Sequence, residues 1–176
     1  MTQKGRYAID NYDNNQGVAT NPQAKDKLEN SQQSYFVRTQ ITWLERLQVE
    51  LSVGLNENKI SYQQRFPIQQ DSKSNLNFGE TWMPRAAASY LVSPDFAVRA
   101  SISKGFSAPT IAEVRSSDNL INTDLKPETG TNHEVGIRWH LWNRRIILDA
   151  AAYTYQMNDA IIRQVRENGA EYFQNA

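Results

Sequence analysis

Residues 47–56 alternate strictly between apolar side chains and small or polar ones. The apolar positions are Leu47, Val49, Leu51, Val53 and Leu55. Successive side chains of a β-strand point to opposite faces, so one face of this segment is apolar and the other is polar. Similar alternation recurs along the chain. The sequence therefore predicts an all-β protein built from amphipathic strands.

Short and long connections alternate between many of the predicted strands. Short turns are predicted at 44–46, 93–95 and 142–144, whereas long polar connections are predicted at 63–80 and 105–129. An antiparallel meander with tight turns at one end and long loops at the other is typical of outer-membrane β-barrels. We therefore predict a partial transmembrane β-barrel of about seven strands.

The two ends of the chain carry turn and loop signals. Residues 1–33 are predicted to be a loop region, because 10–33 is rich in Asn, Gln, Asp and Lys. Near the other end, the pair Asn168-Gly169 predicts a type I′ hairpin turn. This turn would join a strand that ends near Arg166 to one that begins at Ala170.

Charged side chains share one face of the predicted strands, out of phase with the apolar residues. They are Arg38, Glu50, Arg85, Arg99, Glu134, Arg138 and Asp149. An arginine facing hydrocarbon near the bilayer midplane costs about 2–4 kcal/mol. The shared phase therefore predicts that the charged face lines a hydrated lumen and that the apolar face meets outer-membrane lipid.

Aromatic side chains gather near the predicted short turns, where amphipathic rings suit a membrane interface. They are Trp43, Tyr90, Phe96, Trp139 and Trp142. A soluble β-sandwich that binds a partner or a carbohydrate also has alternating strands and is the alternative fold. The clustering of long loops at one end and of aromatic residues at the other favours the barrel.

Composition excludes several other classes of protein. The chain has 19 basic and 19 acidic residues, so nothing indicates a nucleic-acid partner. It has no cysteine, which removes disulfides and thiolate chemistry, and no apolar run long enough for a transmembrane helix. Residues 1–6 lead into polar sequence and not into the apolar region of a signal peptide. We therefore expect the chain to be a piece of a longer protein.

The stretch 103–113, Ser-Lys-Gly-Phe-Ser-Ala-Pro-Thr-Ile-Ala-Glu, resembles a signature of TonB-dependent outer-membrane receptors. The segments 125–128, Leu-Lys-Pro-Glu, and 134–136, Glu-Val-Gly, resemble the next landmarks of that family. The segment 82–85 resembles the strand opening before the signature, and 173–176 resembles the start of a later segment. The order and spacing of these pieces agree with the predicted strand phases.

The resemblance implies a Gram-negative outer-membrane location and a barrel of about 22 strands that is filled by a separate plug domain. Residues 1–176 would be part of the barrel, and we expect the plug, the TonB-contacting box and the barrel-closing strand to be absent from them. The parent protein would import a scarce ligand, first of all a ferric siderophore complex, with energy from the TonB complex. Haem, cobalamin or a glycan are the alternative ligands in the same family.

Candidate chemistry is sparse, and we expect no enzyme, cofactor or metal site. His133 and His140 fall on opposite faces of one strand, so they cannot form a local ligand pair. Ser107 has no nearby His–Asp partner of a hydrolase. The residue pattern therefore favours a binding or transport protein.

Three arginines on or near the long connections are weak ligand-binding candidates, because guanidinium groups suit anionic ferric complexes. They are Arg65, Arg115 and Arg163. Solvated loop charges are the alternative interpretation of all three. Four aromatic residues could line a ligand vestibule or form an upper aromatic girdle: Tyr62, Phe66, Phe78 and Tyr172.

Overall fold

An antiparallel sheet of seven strands forms most of the protein. The computed structural model describes residues 1–67, 73–118 and 120–176. The sheet strands are β1 (Thr2–Asn15), β2 (Val18–Trp43), β3 (Leu47–Phe66), β4 (Lys73–Ser93), β5 (Phe96–Ser107), β6 (Glu128–Leu141) and β7 (Ile146–Asn158). They pair in chain order and form a half-barrel, so the predicted partial barrel of about seven antiparallel strands is confirmed.

A short helix and a separate hairpin complete the fold. Helix α1 (Ile111–Val114) lies in the connection between β5 and β6. The strands β8 (Ile161–Val165) and β9 (Glu171–Asn175) form the hairpin after β7.

The predicted short turns are confirmed at one end of the sheet, called here the turn end. At the β2–β3 turn, Arg46 N–H donates to the Trp43 carbonyl at 3.1 Å, and the two central residues have φ of 49° and 55°. The β6–β7 turn repeats this arrangement, with Arg145 N–H donating to the Trp142 carbonyl at 3.1 Å. Positive φ at both central residues is what type I′ turns require, and their twist matches that of the flanking strands.

The prediction of a loop over residues 1–33 is wrong. Strand β1 and the first half of β2 form a long hairpin there, with Thr2 opposite Gln33 and Asn15 opposite Val18. Polar Asn, Gln and Lys side chains obscured these strands because their β-propensity is low. Backbone hydrogen bonds between the two strands hold this hairpin together. Because it lies outside the hydrocarbon layer, its side chains need not alternate between apolar and polar.

The long connections are shorter than the sequence predicts. Strand β3 continues to Phe66 and β4 begins at Lys73, so most of the predicted 63–80 connection is strand; residues 68–72 of it lie outside the described residues. The connection predicted at 105–129 begins after Ser107 and ends before Glu128. The strands therefore extend beyond their alternating parts at this end, called here the loop end.

The Asn168-Gly169 hairpin is confirmed, but its predicted type I′ turn is wrong. Gly169 N–H donates to the Arg166 carbonyl at 2.9 Å, and Arg166 N–H donates to the Ala170 carbonyl at 2.9 Å. Gly169 has φ +82°, whereas Asn168 is not among the described residues with positive φ. The turn thus places its single left-handed position on glycine, which adopts that conformation without a steric penalty.

Strand register places the apolar residues of neighbouring strands side by side. Val49 lies opposite Ala88, Ala88 opposite Ala100, Ala100 opposite Val135, and Val135 opposite Ala152. These residues belong to the apolar face, which remains exposed on the half-barrel. A β-sandwich would cover such a face with a second sheet, so the sandwich alternative is wrong.

The opposite, charged face carries a ladder of ion pairs, as the shared phase of its residues predicts. Arg38 contacts Glu50 at 2.6 Å across β2 and β3. Asp149 on β7 accepts from Arg99 at 2.7 Å and from Arg138 at 2.6 Å. These pairs connect side chains of different strands, and the Arg99–Asp149 pair reaches across β6, on a face whose charges hydrocarbon could not solvate. The charged face is therefore the lumen side of the wall.

Gly136 makes room for part of this ladder. A Cβ atom at this position would lie 2.9 Å from both Cζ and Nε of Arg99, which crosses the glycine on the lumen side. It would also lie 3.0 Å from the carbonyl oxygen of Ala150. The Glu-Val-Gly landmark of the sequence therefore has a packing role, because only glycine leaves this space for the guanidinium.

Candidate functional site

The apolar side chains of β3 change faces along the strand. Up to Leu55 they lie on the lipid side, but Ile60 and Tyr62 lie on the lumen side and are buried. The outward positions between these two parts are taken by Glu57 and Lys59. Near the turn end the wall is thus apolar outside and polar inside, and near the loop end this arrangement is reversed.

The outward apolar band has the length of a membrane crossing. On β3 it runs from Leu47 to Leu55, about nine residues, and a transmembrane β-strand needs about 9–11. Trp43 and Tyr90 mark its turn-end border, and Tyr35 and Trp82 lie opposite or beside Leu55 at the other border. Aromatic residues at both borders match the girdles of membrane barrels.

The apolar side chains of β4 also move from the lipid side to the lumen side toward the loop end, because of a shift in strand register. The pairing of β3 with β4 slips by one residue between Glu57 and Lys59. Gly79, with φ +70°, lies at this slip, and its N–H donates to Oδ1 of Asn77 at 3.1 Å. An extra residue in one strand reverses its alternation. Leu76 therefore lies opposite Ile60 on the lumen side.

A cap covers the lumen face at the loop end. It consists of the described residues of the β5–β6 connection, 108–118 and 120–127, and of the β8–β9 hairpin. Ile60 and Leu76 of the wall form a buried cluster with Val114 and Leu125 of the cap. Partly buried apolar residues pack against this cluster: Phe78, Ile111, Ile121, Ile161 and Phe173. The cap is thus held by its own small apolar core.

A buried ion pair joins the cap to the wall. Arg115 donates through Nε and Nη2 to Oδ2 of Asp26, each at 2.8 Å. The hydroxyl of Tyr62 donates to Oδ1 of the same carboxylate at 2.9 Å. The Asp26 side chain is 0% exposed and that of Arg115 is 10% exposed. Both carboxylate oxygens thus have partners, as a buried charge requires.

Tyr62 gives this triad a measurable pH dependence. Burial, followed by the hydrogen bond to Asp26, raises the pKa of Tyr62 from 10.0 to about 12. The folded protein therefore keeps this proton when the unfolded chain has begun to lose it. The resulting stabilisation is complete below pH 10 and is lost as the pH rises toward 12.

We predict that Tyr62→Phe flattens the loss of stability across this alkaline window, because it removes the titrating group. Chemical unfolding of the intact protein at several pH values measures the slope. Tyr153→Phe, at an exposed wall position, is the matched control and should keep the wild-type slope. Equal slopes for wild type and Tyr62→Phe would contradict the prediction.

Two segments of the receptor-like signature stabilise the cap locally. Thr110 and Glu113 form a capping box at the start of α1: Thr110 N–H donates to Glu113 Oε2 at 2.6 Å, and Glu113 N–H donates to Thr110 Oγ1 at 3.3 Å. Further along, the Glu128 carboxylate accepts from Ile161 N–H at 2.8 Å. Both glutamates thus satisfy backbone donors that would otherwise lack a partner.

Asn175 connects the end of β9 to the cap. Its Oδ1 accepts from Lys126 N–H at 2.8 Å, and its Nδ2 donates to the Lys126 carbonyl at 2.9 Å. The same Nδ2 donates to the Asp159 carbonyl at 2.7 Å. The Leu-Lys-Pro-Glu segment and residues 173–176, which are separate landmarks in the sequence, therefore meet in space.

The three candidate arginines are not brought together into one site. Arg115 is occupied by its buried contact with Asp26. Arg163 is exposed on β8 and pairs with Glu171 at 2.8 Å. Arg65 is exposed near the end of β3. Ligand binding by any of them stays a prediction.

The four candidate aromatic residues have different surroundings. Tyr62 belongs to the buried triad, and Phe78 packs against the cap core. The Tyr172 ring lies under the guanidinium of Arg166, with Cζ 4.6 Å from the ring centroid. Phe66 is exposed at the loop end. Two of the four therefore have packing roles that the sequence did not indicate.

Sequence reasoning missed a polar cavity between the wall and the cap. Its polar lining includes Asn30, Asn56 and Asn58, which share the lumen face of β2 and β3. Residue 30 fell in the predicted loop, Asn56 is the last residue of the alternating stretch, and Asn58 follows it. Three asparagines in one strand phase were the available signal, but it depended on recognising β2 as a strand.

The ionisable groups of the described ranges do not form a metal-binding cluster of three or more His, Cys, Asp or Glu side chains. His133 lies opposite Ile102 and Thr154 on the outward face, and His140 has the opposite parity. The predicted separation of the two histidines is confirmed. Residues 1–67, 73–118 and 120–176 contain no helix long and apolar enough to cross a membrane.

An outward apolar band, aromatic borders and an ion-paired lumen face together define the wall of a transmembrane β-barrel. Solved structures share this fold. The siderophore receptor PirA from Pseudomonas aeruginosa is 20% identical, with a TM-score of 0.55, over 87% of this chain and 38% of that one. The ferric-catecholate import receptor Fiu from E. coli K12 is 12% identical, with a TM-score of 0.62, over 99% and 29%. The copper transporter OprC is 14% identical, with a TM-score of 0.66, over 94% and 27%.

The chain belongs to the family of TonB-dependent receptor-like β-barrels, whose family model matches residues 2–176. A search of curated proteins gave no match. The predicted location in the Gram-negative outer membrane is confirmed by the family and by its structural neighbours. This chain spans 38% of the length of PirA, 29% of Fiu and 27% of OprC.

Proposed function

We propose that the intact protein imports a scarce ligand across the outer membrane, and that its first ligand class is a ferric siderophore complex. Residues 1–176 would supply part of the barrel wall and its loop-end cap. The observation that carries the proposal is the family match over residues 2–176. PirA and Fiu, which share the fold, are named as a siderophore receptor and a ferric-catecholate import receptor.

We assign each part of this chain a role in the proposed import. The loop end would face the outside, and the buried Asp26–Arg115 pair would keep the cap in place beside the ligand path. The ion-paired lumen face would border the domain that fills the barrel. We place that plug domain and the TonB-contacting box in other parts of the protein, as the resemblance implies.

Arg65 and Arg163 are the remaining candidates for contact with an anionic ferric complex. Both are exposed near the loop end, and a guanidinium forms strong charge-assisted hydrogen bonds to anionic oxygen ligands. Arg115 is a weaker candidate, since withdrawing it would leave the Asp26 carboxylate buried without its cationic partner. No catalytic role is proposed, and the lack of enzymatic activity stays a prediction.

Growth of a deletion strain on defined nutrient sources tests the proposal. We expect poor growth when a ferric siderophore is the sole iron source, and recovery when the intact gene is restored. Ferric chloride at high concentration is the control that bypasses receptor-mediated uptake. Normal growth of the deletion strain on all ferric siderophores would overturn the iron proposal.

Further arms of the same experiment distinguish the alternative ligands. Haem, cobalamin and a glycan are supplied in turn as the limiting nutrient. Copper limitation is included because the neighbour OprC is named as a copper transporter. A defect confined to one of these arms would assign that ligand and leave the barrel assignment unchanged.

A further inference from the structure

The cavity between wall and cap has a volume of about 580 Å³. On the wall side it is lined by Tyr7, Gln32 and Met83 in addition to three asparagines, Asn30, Asn56 and Asn58. The opposite side is lined by residues 106–112, which run from the end of β5 into the cap. None of these lining residues is Lys, Arg, Asp or Glu, so the cavity is neutral, unlike the ion-paired lumen face nearer the turn end.

The asparagines of this cavity hold hydrogen-bonding capacity that the protein does not use. The Oδ1 atoms of Asn30, Asn56 and Asn58 are buried and have no hydrogen-bond partner in the structure. Asn56 is 7% exposed and Asn58 is 3% exposed. The Nδ2 of Asn56 donates to Ser34 Oγ at 3.2 Å, which leaves its oxygen as the free group. Buried polar atoms without a partner are rare in native proteins.

The free atoms determine which chemical groups would be bound. Amide oxygens accept hydrogen bonds, so their partners are O–H or N–H donors. Hard divalent cations favour sites that include carboxylates, which this cavity lacks. The side-chain amide torsion of asparagine is soft, so each oxygen can turn toward a donor that enters. Phe106 and Pro109 add apolar surface against which a ring can pack.

We propose that this amide cavity binds an uncharged, hydroxyl-rich ring of the imported ligand. The inference rests on the proposed import function and narrows its substrate class. A sugar-like ring supplies several O–H donors on a rigid frame and has apolar C–H faces for Phe106 and Pro109. Such a ring has two sources: a sugar attached to a ferric chelate, or a glycan imported by itself.

Binding to the purified intact receptor tests the proposal with three probes. They are a ferric tris-catecholate complex, the same complex bearing an attached glucose, and a maltooligosaccharide. We expect Asn58→Leu to weaken a glucose-bearing probe about tenfold, since a lost hydrogen bond of about 1.4 kcal/mol corresponds to that factor. Affinity for the sugar-free complex should not change.

A second variant and a control keep the test independent of folding. Asn30→Leu, on the neighbouring strand, should reproduce the selective loss. Asn75→Leu replaces an exposed asparagine of β4 and should change neither affinity. Thermal unfolding is a further readout, because replacing an unpaired buried amide by leucine should not lower stability. A fall in stability together with equal weakening of all probes would show a structural role and overturn the proposal.

The three probes separate the outcomes. If Asn58→Leu and Asn30→Leu weaken binding of the glucose-bearing complex selectively, the sugar is part of a ferric chelate. If they weaken binding of the maltooligosaccharide selectively, the sugar is part of a glycan. The cavity proposal is overturned if the receptor binds the sugar-free complex tightly, binds the glucose-bearing complex no more tightly, and does not bind the maltooligosaccharide. That result would still support the import of a ferric complex. Binding of the oligosaccharide alone refutes the ferric ligand and supports the cavity.

Discussion

Replacing Arg115 by alanine should destabilise the packing of the cap on the wall by about 3–5 kcal/mol, the usual effect of removing one partner from a buried ion pair. The reason is the Asp26 carboxylate, which is 0% exposed and would lose two of its donor contacts. Of the two residues of the triad that donate to Asp26, only Tyr62 would then remain. We expect the cap to open while the seven-stranded wall stays folded.

Hydrogen exchange of the intact receptor measures this opening directly. Protection should fall in residues 108–127 and in the β8–β9 hairpin, and it should persist in the membrane band of β3. Arg163→Ala is the matched control, because it breaks an exposed pair with Glu171 that is worth about 0–1 kcal/mol. Similar exchange in both variants would show that the apolar core alone holds the cap.

Ala100→Arg should impair assembly strongly, whereas Ser101→Arg should be tolerated. The two residues are consecutive on β5, but Ala100 lies on the apolar face between Ala88 and Val135. Near the midplane an outward arginine costs about 2–4 kcal/mol. Ser101 lies on the lumen side opposite Glu134, where a guanidinium can pair with the carboxylate.

Urea unfolding in lipid vesicles, together with the amount of folded receptor in outer membranes, measures this difference. Both variants add the same side chain in nearly the same place along the chain, so the comparison isolates the direction in which it points. If both variants lost the same stability, the assignment of the two faces to lipid and lumen would be refuted.

The membrane-crossing part of the wall was predictable because its physical constraint is local. Lipid on one side and water on the other require alternation in each strand separately. Alternation within residues 47–55 therefore predicts which of their side chains face lipid, and no information about a partner strand is needed. The short turns and aromatic borders are similarly local, since they depend on a few adjacent residues at Trp43 and Tyr90.

The loop end was poorly predicted because its constraints are not local. Arg115 and Asp26 are 89 residues apart, and nothing near either one indicates that they meet. The reversal of faces on β4 depends on the register slip at Gly79. The amide cavity depends on both the N-terminal hairpin and the cap. These features arise from the packing of distant segments, which alternation within one strand cannot predict.

The exchange of apolar faces between Leu55 and Ile60 also determines how this surface can vary. An outward lysine or glutamate is acceptable at Lys59 or Glu57, where water solvates it, but is costly a few positions nearer the turn end. Among the inward positions, those near the loop end must stay apolar, because Ile60 packs in the cap core. Inward positions nearer the turn end accept charged residues. With the loop end facing the outside, as proposed, natural variants and bound antibodies should therefore concentrate on outward side chains beyond Leu55.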